Sequence, residues 1–302
     1  MKKDLVSIND LSLADIKVIF KKAEEFKKRK IKNTEKILKG KNFSLIFEKP
    51  STRTRVSFEV GIIKLGGNPI YLNSSDLQLS RGETIKDTAR VLSRYVDGII
   101  VRAKKHSDVV ELAKEAAVSV INALTDIEHP CQALADLFTV FEHKSGGIKI
   151  AYVGDGNNVA NSLLLCAAKL GVDISIASPK EYEIEKNIFN IAREESVKTR
   201  CKISLVNDPE VAAKDADVIY TDVWVSMGDE AERDTRLKVL KPFQINRDLM
   251  KLAKKDCIIM HCLPAHIDEE ITEDIFESRN SVVFDQAENR LYIQQAILSS
   301  IY

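Results

Sequence analysis

The sequence predicts an α/β protein with two doubly wound domains, each a parallel sheet flanked by helices. Short apolar runs of strand length alternate with segments in which apolar residues recur at helical spacing, which is typical of parallel sheets. The length of 302 residues is long for one hydrophobic core and suits two domains of about 150 residues. The stretch Lys144-Ser145-Gly146-Gly147 is the best candidate for the boundary between them.

The composition argues against several classes of protein. Lysine plus arginine and aspartate plus glutamate number 45 each, so the chain lacks the basic excess of a nucleic-acid or membrane-surface protein. The five cysteines are scattered and form no Cys-x-x-Cys pair, which indicates reduced thiols rather than disulfides or a zinc site. No apolar run approaches the roughly 18 to 20 residues of a membrane span, and a signal-peptide core is missing. We therefore expect a cytoplasmic protein.

The first half of the chain contains four predicted strands interspersed with helices. A first helix, capped by Asn9 or Ser12, precedes them. The predicted strands cover residues 42–47, 68–72, 98–101 and 119–122. The predicted helices begin at Ser51 or Thr52, cover 85–95 and 109–117, and follow Pro130. A polar segment, 73–84, separates the second strand from its helix and is a candidate mobile loop.

The turn between the first strand and its helix is the best candidate for a ligand site. Ser51 or Thr52 is placed to cap the helix. The free N–H groups and the positive dipole end of such a helix form a site for a phosphate. Arg53 and Arg55 add guanidinium groups, whose planar forks match two phosphate oxygens. The alternative is a capped, solvated helix start, but the coincidence of strand, proline, hydroxyl cluster and helix favours phosphoryl binding.

Further polar residues are predicted on the same edge of the first sheet, because ligands of open α/β sheets lie beyond the carboxyl ends of the strands. Arg102 ends the third strand, although a lone arginine is as often an ordinary surface residue. His129 precedes Pro130, which suits the first turn of a helix. A lone histidine is usually structural. Here its N–H could also stabilise an oxyanion, and Gln132 could both donate and accept a hydrogen bond.

The second half repeats the pattern of strands and helices. The turn Gly154-Asp155-Gly156 lies between a strand and a predicted helix, 158–170. A dinucleotide-binding interpretation fails, because Val159 occupies the third glycine position and no acidic residue follows the next strand. Asn157 and Asn158 instead lie at a helix N-terminus, where an amide can hold a carboxylate or carbonyl. The predicted strands are 148–153, 173–177, 203–206, 218–221, 257–260 and 282–284.

Three places in this half carry candidate chemistry. Asp222 follows a strand and could bind an ammonium group. The segment Ser226–Gly228 and a long charged loop, 229–236, come next and could form a lid. Cys262 follows another strand, where simple burial is the more frequent role of a cysteine. Arg290 precedes a predicted C-terminal helix, 291–301, and is a candidate contact to phosphate or carbonyl.

Four motifs carry a resemblance to a known family. They are Ser51-Thr52-Arg53-Thr54-Arg55 followed by Ser57-Phe58-Glu59, His129-Pro130-Cys131-Gln132, Asp222 with Ser226-Met227-Gly228, and His261-Cys262-Leu263-Pro264. Over nearly the whole chain the sequence resembles the transcarbamylase family, which is shared by aspartate and ornithine carbamoyltransferases. The resemblance implies that the active site lies in the cleft between the two domains and that no metal or organic cofactor takes part.

The last two motifs bear on the second substrate. Aspartate enzymes of the family carry His-Pro-Leu-Pro at the late motif and grip a second carboxylate with a loop bearing arginine and glutamine. Both motifs here look instead like those of ornithine enzymes. The resemblance therefore implies transfer from carbamoyl phosphate to the side-chain amine of ornithine, giving citrulline and phosphate through a tetrahedral intermediate. Putrescine or an N-acylated ornithine is an alternative amine, and aspartate is a less favoured one.

The resemblance also assigns residues, domains and assembly. Residues 1–143 with the C-terminal helix 288–302 would bind carbamoyl phosphate, and residues 148–287 would bind ornithine. A homotrimer or a multiple of it is implied, with Gln78 supplied by a neighbouring subunit. The implied catalytic residues are Arg53, Arg102, His129 and Cys262. The implied contacts to carbamoyl phosphate are Ser51, Thr52, Arg53, Thr54, Gln78, Arg102, His129, Pro130, Cys131, Gln132, Cys262, Leu263 and Arg290. The implied contacts to ornithine are Asn158, Asp222, Ser226 and Met227.

Overall fold

A computed structural model describes residues 3–73, 77–78, 82–226, 228 and 230–302 of the chain. The strands are β1 Asn42–Phe47, β2 Asn68–Asn73, β3 Gly98–Arg102, β4 Ser119–Leu124, β5 Lys149–Val153, β6 Asp173–Ala177, β7 Ile203–Val206, β8 Val218–Thr221 and β9 Ile258–His261. The helices are α1 Leu13–Lys27, α2 Thr52–Lys64, α3 Ile85–Leu92, α4 His106–Glu115, α5 Pro130–His143, α6 Asn158–Leu170, α7 Lys186–Thr199, α8 Pro209–Ala213, α9 Arg233–Leu240, α10 Arg247–Met250, α11 Glu273–Phe276 and α12 Val283–Ile301.

The strands form two parallel sheets, as the alternation of strands and helices predicts. The four-stranded sheet has the order β2-β1-β3-β4, and the five-stranded sheet has the order β7-β6-β5-β8-β9. Strands on both sides of β1 and of β5 mean that each sheet is wound in two directions from a central strand. Helices flank both sheets, so the α/β class is confirmed.

The chain divides into two compact units. The first unit consists of Met1–Ala135 and Glu288–Tyr302, and the second unit is Asp136–Ala287. In the first unit, buried aliphatic residues of β1, β3 and β4 form an apolar core with α3 and α4. In the second unit, apolar residues of β5, β8 and β9 pack with α8, α10 and α11. The described residues contain no helix that is both long and apolar enough to cross a membrane.

Local signals place several helix ends where the sequence predicts them. Ser12 caps α1 with a hydrogen bond from the Asp15 N–H to its hydroxyl, and the side chain of Asp15 accepts in return from the N–H of Ser12. Ser51 caps α2, and Pro130 is the first residue of α5. The first helical N–H groups have no partner within the helix, so hydroxyl caps and a proline that lacks an N–H are favourable there.

Two sequence predictions are wrong. The expected strand 282–284 is the start of α12, since only one isolated bridge joins Ser281 to Ile259 before the helix begins at Val283. Of the expected loop 229–236, the described residues 230–236 are helical, with a 3₁₀ turn at Glu230–Glu232 followed by α9. Local propensity was misleading in both cases. β-branched residues favour strands and clustered charges favour loops, but contacts with the rest of the fold can override both preferences.

Candidate active site

Residues 48–55, which join β1 to the first turn of α2 and are called the phosphate turn below, have the geometry of an anion site. β1 ends at Phe47, and α2 begins at Thr52. The Ser51 hydroxyl accepts the Thr54 N–H at 3.3 Å. Arg53 is half-buried in the first turn, where the helix dipole and the N–H groups favour negative charge. Three expected residues, Ser51, Thr52 and Arg53, therefore lie together at one helix start.

Arg55, the second arginine of this turn, is engaged elsewhere. Its guanidinium lies 3.6 Å from the centre of the Tyr71 ring, and its Nε pairs with Oε1 of Glu59 at 2.9 Å. A guanidinium stacked on an aromatic face and paired with a carboxylate is held along the surface of α2 and β2. The structure thus separates Arg53 from Arg55, which the sequence pattern alone treats alike.

Arg102 ends β3 beside the phosphate turn. In the parallel pairing of β1 and β3, Phe47 is in register with Arg102, and the Glu48 N–H donates to the Arg102 carbonyl at 2.9 Å. Arg102 is only 6% exposed. The carboxyl ends of the two neighbouring strands therefore bring this cation to the edge that carries Ser51 and Arg53, as predicted.

Arg290 joins the same edge through α12. Its Nη2 donates to the Thr54 hydroxyl at 2.6 Å, and Thr54 is almost completely buried. Arg290 lies within α12 rather than before it, which corrects the sequence prediction. The helix carries the guanidinium to the start of α2, so the C-terminal segment completes the phosphate side of the first unit.

His129 precedes α5, close enough to Arg290 and Arg102 to be affected by their charge, and it stays neutral. Its pKa is lowered well below the usual histidine value by burial, by Arg290 and by Arg102, in that order. A neutral imidazole keeps one N–H donor and one acceptor nitrogen, so it can donate to a carbonyl oxygen without bringing a full charge. Gln132, also buried, lies one turn along α5, and its N–H donates to the His129 carbonyl at 3.0 Å.

Cys131 and Gln78 are two further expected residues of this unit. Cys131 is buried, and its thiol is 3.5 Å from the Asn122 carbonyl. Burial raises its pKa to about 12, so the thiol is protonated at neutral pH. Gln78 is exposed, and its carbonyl accepts the Glu83 N–H at 3.1 Å. A role in a neighbouring subunit's site remains a prediction.

In the second unit, Cys262 and Asp222 form a buried hydrogen-bonded pair. Asp222 follows β8 and Cys262 follows β9, neighbouring parallel strands whose carboxyl ends meet. The Cys262 thiol donates to Oδ1 of Asp222 at 2.9 Å. The pKa of Cys262 is raised well above its usual value by burial and by the Asp222 carboxylate. Cys262 is therefore a neutral thiol donor at neutral pH, and Asp222 is the acceptor.

Asn157 orients Asp222. The sequence predicts Asn157 at a helix N-terminus as an amide that can hold a carboxylate, but it does not identify Asp222 as that carboxylate. The Asn157 amide donates to Oδ2 of Asp222 at 2.8 Å, while its carbonyl oxygen accepts the N–H groups of Val159 and Ala160 at the start of α6. Asn158, the expected ornithine contact, is half-buried at the first position of α6. The N-cap preference for asparagine agrees with the predicted position of Asn157, but its bond to Asp222 spans 65 residues and has no local signal.

The turn before α6 requires its glycine. A Cβ at Gly156 would lie 2.5 Å from the Ile184 nitrogen and 2.6 Å from the Tyr182 carbonyl oxygen. Asp155 in this turn accepts from Nη1 of Arg236 at 2.9 Å. The same Arg236 nitrogen donates to the Trp224 carbonyl at 3.2 Å, so α9 is tied to both the turn and the segment after β8.

Ser226 and Met227 belong to the segment after β8. Ser226 is half-buried. Met227 lies outside the described residues, so its contact to ornithine remains a prediction. Leu263, the other expected residue on this edge, follows Cys262 with a positive φ of 61°.

Two side-chain groups among the described residues have donor atoms close enough to hold a cation. Asp222, His261 and Cys262 form one, and His266, Glu269 and Glu270 form the other, with ligand atoms within 4.8 Å of one another. In the first group the thiol already donates to Asp222, and both nitrogens of His261 are hydrogen-bonded. A metal ion there would have to replace these bonds.

Both halves of the chain match models of one family. Residues 3–142 match the aspartate/ornithine carbamoyltransferase carbamoyl-P binding domain. Residues 146–301 match the aspartate/ornithine carbamoyltransferase Asp/Orn binding domain.

Individual relatives agree with these matches. The ornithine carbamoyltransferase of Thermococcus kodakarensis is 53% identical over 302 residues, which are 99% of this chain and 96% of the relative. That of Bacillus subtilis is 53% identical over 301 residues, 99% of this chain and 93% of the relative. The solved structure of the Pyrococcus furiosus ornithine carbamoyltransferase superposes with a TM-score of 0.94 at 54% identity, covering 98% of this chain and 96% of that one.

Proposed function

The chain belongs to the aspartate/ornithine carbamoyltransferase family, and we propose that it transfers the carbamoyl group of carbamoyl phosphate to the side-chain amine of L-ornithine. The products are L-citrulline and phosphate. The donor is already activated, so the amine attacks the carbonyl carbon directly and no covalent enzyme intermediate is needed. Putrescine, N-acylated ornithine and aspartate are not favoured.

The first unit binds carbamoyl phosphate. Ser51, Thr52, Arg53, Thr54 and Arg102 hold the phosphate, and their positive charge stabilises it as a leaving group. His129, as a neutral donor, faces the carbonyl oxygen with Thr54 and Arg290, where negative charge develops in the tetrahedral intermediate. Gln132 holds the carbamoyl NH₂ with its amide oxygen. Pro130 and Cys131 contribute through the backbone of the same helix start.

The second unit binds ornithine. Asp222 accepts from an ammonium group, and Asn158, Ser226 and Met227 seat the amino-acid end of the substrate. Cys262 contacts the attacking nitrogen, and Leu263 contacts the carbamoyl group. Because the pair Cys262–Asp222 already holds the thiol hydrogen between its members, Cys262 orients the amine and does not act as its base.

One observation carries the choice of ornithine over aspartate. The Asp222 carboxylate lies at the end of β8 with three donors, Asn157, Cys262 and the Val223 N–H. A negative charge held in this way attracts an ammonium group and repels the second carboxylate of aspartate. The names of the relatives at 53% identity support the same substrate.

A citrulline colour assay tests the function. Purified protein is supplied with carbamoyl phosphate and, in parallel, with ornithine, putrescine, N-acetylornithine or aspartate, and released phosphate is measured in every tube. We expect product with ornithine at least a hundredfold faster than with the other amines. Absence of ornithine-dependent phosphate release would reject the enzyme in favour of a binding module, and faster turnover of another amine would reassign the substrate.

Assembly, location and direction extend this proposal. A homotrimer is supported by the exposed position of Gln78, which suits a residue that completes a neighbouring site. A cytoplasmic location is supported by the five unpaired cysteines. A biosynthetic direction is supported by the Pyrococcus furiosus relative, which is named an anabolic ornithine carbamoyltransferase.

A further inference from the structure

His261 has no part in the substrate contacts proposed above, yet both of its ring nitrogens are hydrogen-bonded. It is the last residue of β9, and its side chain is completely buried. The backbone N–H of Leu263 donates to its Nδ1 at 2.9 Å, and its Nε2 lies 3.0 Å from Oε1 of Glu270. The imidazole therefore joins the turn that contains Cys262 to a buried carboxylate.

The roles of the two nitrogens follow from their partners. A backbone N–H can only donate, so Nδ1 of His261 is the acceptor and carries no proton. A carboxylate oxygen accepts, so Nε2 carries the proton and donates to Glu270. The Oε1 atom of Glu270 also accepts the backbone N–H of His266 at 2.6 Å, which holds the carboxylate independently of the ring. The surroundings thus select one tautomer of His261.

The turn after β9 needs a restraint of this kind. Leu263 has a φ of 61°, a left-handed conformation that is unfavourable for a residue with a Cβ. Its N–H is held by Nδ1 of His261, and the N–H of His261 donates to Oε1 of Gln286 at 3.0 Å. Cys262 stands between the two held residues, so these bonds determine where its thiol lies relative to Asp222.

We propose that His261 is a positioning residue for carbamoyl transfer. Its Nδ1 holds the Leu263 amide and thereby keeps the Cys262 thiol on Asp222, while Glu270 orients the ring. His261 neither touches a substrate nor exchanges a proton with one. The inference rests on the proposed function, because the expected kinetic effect concerns the use of ornithine.

Two amide substitutions separate the two bonds of the ring. In His261→Asn, the side-chain oxygen takes the place of Nδ1 and can accept the Leu263 N–H, but the side chain is too short for Glu270. In His261→Gln, the side-chain NH₂ takes the place of Nε2 and can donate to Glu270, but the Leu263 N–H loses its acceptor. Glutamine also preserves more buried volume, so we expect His261→Gln to melt at the higher temperature of the two.

Kinetics should rank the variants in the opposite order. We expect kcat/KM for ornithine to fall about a hundredfold in His261→Gln, because a shift of about 1 Å in a reacting group costs that order, and about tenfold in His261→Asn. Inhibition by inorganic phosphate, whose contacts lie in the first unit, should change less than twofold in both. His143→Asn, a half-exposed histidine paired with Asp285, is the matched control and should resemble the wild type. Equal losses, or a smaller loss in His261→Gln, would overturn the proposal.

A measurement without turnover keeps the inference separate from the proposed function. Among the five histidines, ¹⁵N labelling and the loss of one signal in His261→Gln identify the ring of His261. We expect a protonated Nε2 and an unprotonated, hydrogen-bonded Nδ1. A proton on Nδ1 would overturn the arrangement. A wild-type protein that makes no citrulline but shows this spectrum would reject the function and leave the hydrogen-bonding of His261 standing.

Discussion

The guanidinium of Arg290 donates a hydrogen bond of 2.6 Å to the hydroxyl of Thr54, although the two residues are 236 positions apart in the sequence. Thr54 lies in the first turn of α2 and Arg290 in α12, so the bond ties the C-terminal helix to the phosphate turn. Both side chains are buried. Loss of the acceptor costs more free energy for a buried charged donor than for an exposed one.

This bond predicts a difference between two substitutions of Thr54. Thr54→Ser keeps the hydroxyl that accepts from Arg290, whereas Thr54→Val replaces it with a methyl group of similar size. We expect Thr54→Val to lower kcat/KM for carbamoyl phosphate at least tenfold, since hydrogen bonds to charged groups contribute about 1.5 to 3 kcal/mol. Thr54→Ser should lie within about threefold of the wild type in steady-state assays. Similar kinetics for the two variants would mean that the hydroxyl does not position Arg290.

The two arginines of the phosphate turn give a second prediction. Arg53→Ala should reduce kcat by roughly 10² to 10³, because one preorganised cationic contact to the leaving group is lost. Arg55→Ala is the matched control. Its guanidinium stacks on Tyr71 and pairs with Glu59, so we expect near wild-type kcat with a slightly lower melting temperature. Near wild-type turnover of Arg53→Ala at saturating carbamoyl phosphate would remove the turn from the phosphate site.

Local sequence signals predict several helix starts of this protein well and its long-range partners poorly. Ser51 and Pro130 act on their own helix starts, so their positions could be read directly. The start of α12 could not, because the Gln286 side chain bonds to Asp136 and to Tyr220, contacts that override the strand propensity of the valines before it. Family resemblance named Arg290 without its helix. The sequence placed Asn157 at a helix start, but it did not reveal that its partner is Asp222, 65 residues away.

Gln78 leads to a test of shared sites. If it completes a neighbouring subunit's site, an Arg53→Ala chain mixed with a Gln78→Ala chain should regain part of the activity, because hybrid trimers contain sites with both wild-type residues. Arg53→Ala mixed with Arg102→Ala is the control, since both residues belong to the first unit of the same chain and no complete site can form. Subunit exchange is verified by mass spectrometry. Recovery in neither mixture, despite exchange, would contradict sharing through Gln78.

Glu128, which precedes His129, predicts a pH dependence of stability. Burial raises its pKa to about 7 from the ordinary 4.5, although the Ser7 hydroxyl and the Ile8 N–H bind the carboxylate. The folded state thus binds the proton more tightly than the unfolded state. The contribution of this carboxyl group to the free energy of unfolding is fully present below about pH 4.5. It is lost as the pH rises through about 7, and the loss is about 3 kcal/mol at most.

Urea unfolding of the wild type and of Glu128→Gln at pH 5 and pH 8 isolates this group. Glutamine cannot ionise, so the free energy of unfolding of the variant relative to the wild type should be more favourable at pH 8 than at pH 5. Other titrating groups cancel in this double difference. If the free energy of unfolding of Glu128→Gln relative to the wild type is the same at pH 5 and pH 8, then ionisation of Glu128 does not destabilise the folded protein.

The pKa of the ornithine side chain and the raised pKa of Cys262 together predict how kcat/KM for ornithine depends on pH. A primary alkylamine has a pKa near 10.4, so only about one ornithine side chain in a thousand is neutral near pH 7.5. Only the neutral amine has the lone pair that attacks the carbonyl carbon, so kcat/KM for ornithine should rise about tenfold per pH unit from pH 6.5 to 8.5. The raised pKa of Cys262 keeps the thiol protonated across this range, so it cannot be the group whose ionisation produces the rise.

Substitutions of Cys262 should therefore lower kcat/KM for ornithine at every pH without changing how steeply it rises with pH. Cys262→Ala removes the donor to Asp222 and should reduce kcat/KM for ornithine by about 10², with little change in inhibition by inorganic phosphate, whose proposed contacts lie in the first unit. Cys262→Ser keeps a hydroxyl donor and should recover part of the loss. Both variants should retain the rise with pH, because ornithine itself supplies it. A flat profile in Cys262→Ala would instead identify Cys262 as the titrating group and make the thiolate, rather than the thiol, the active form.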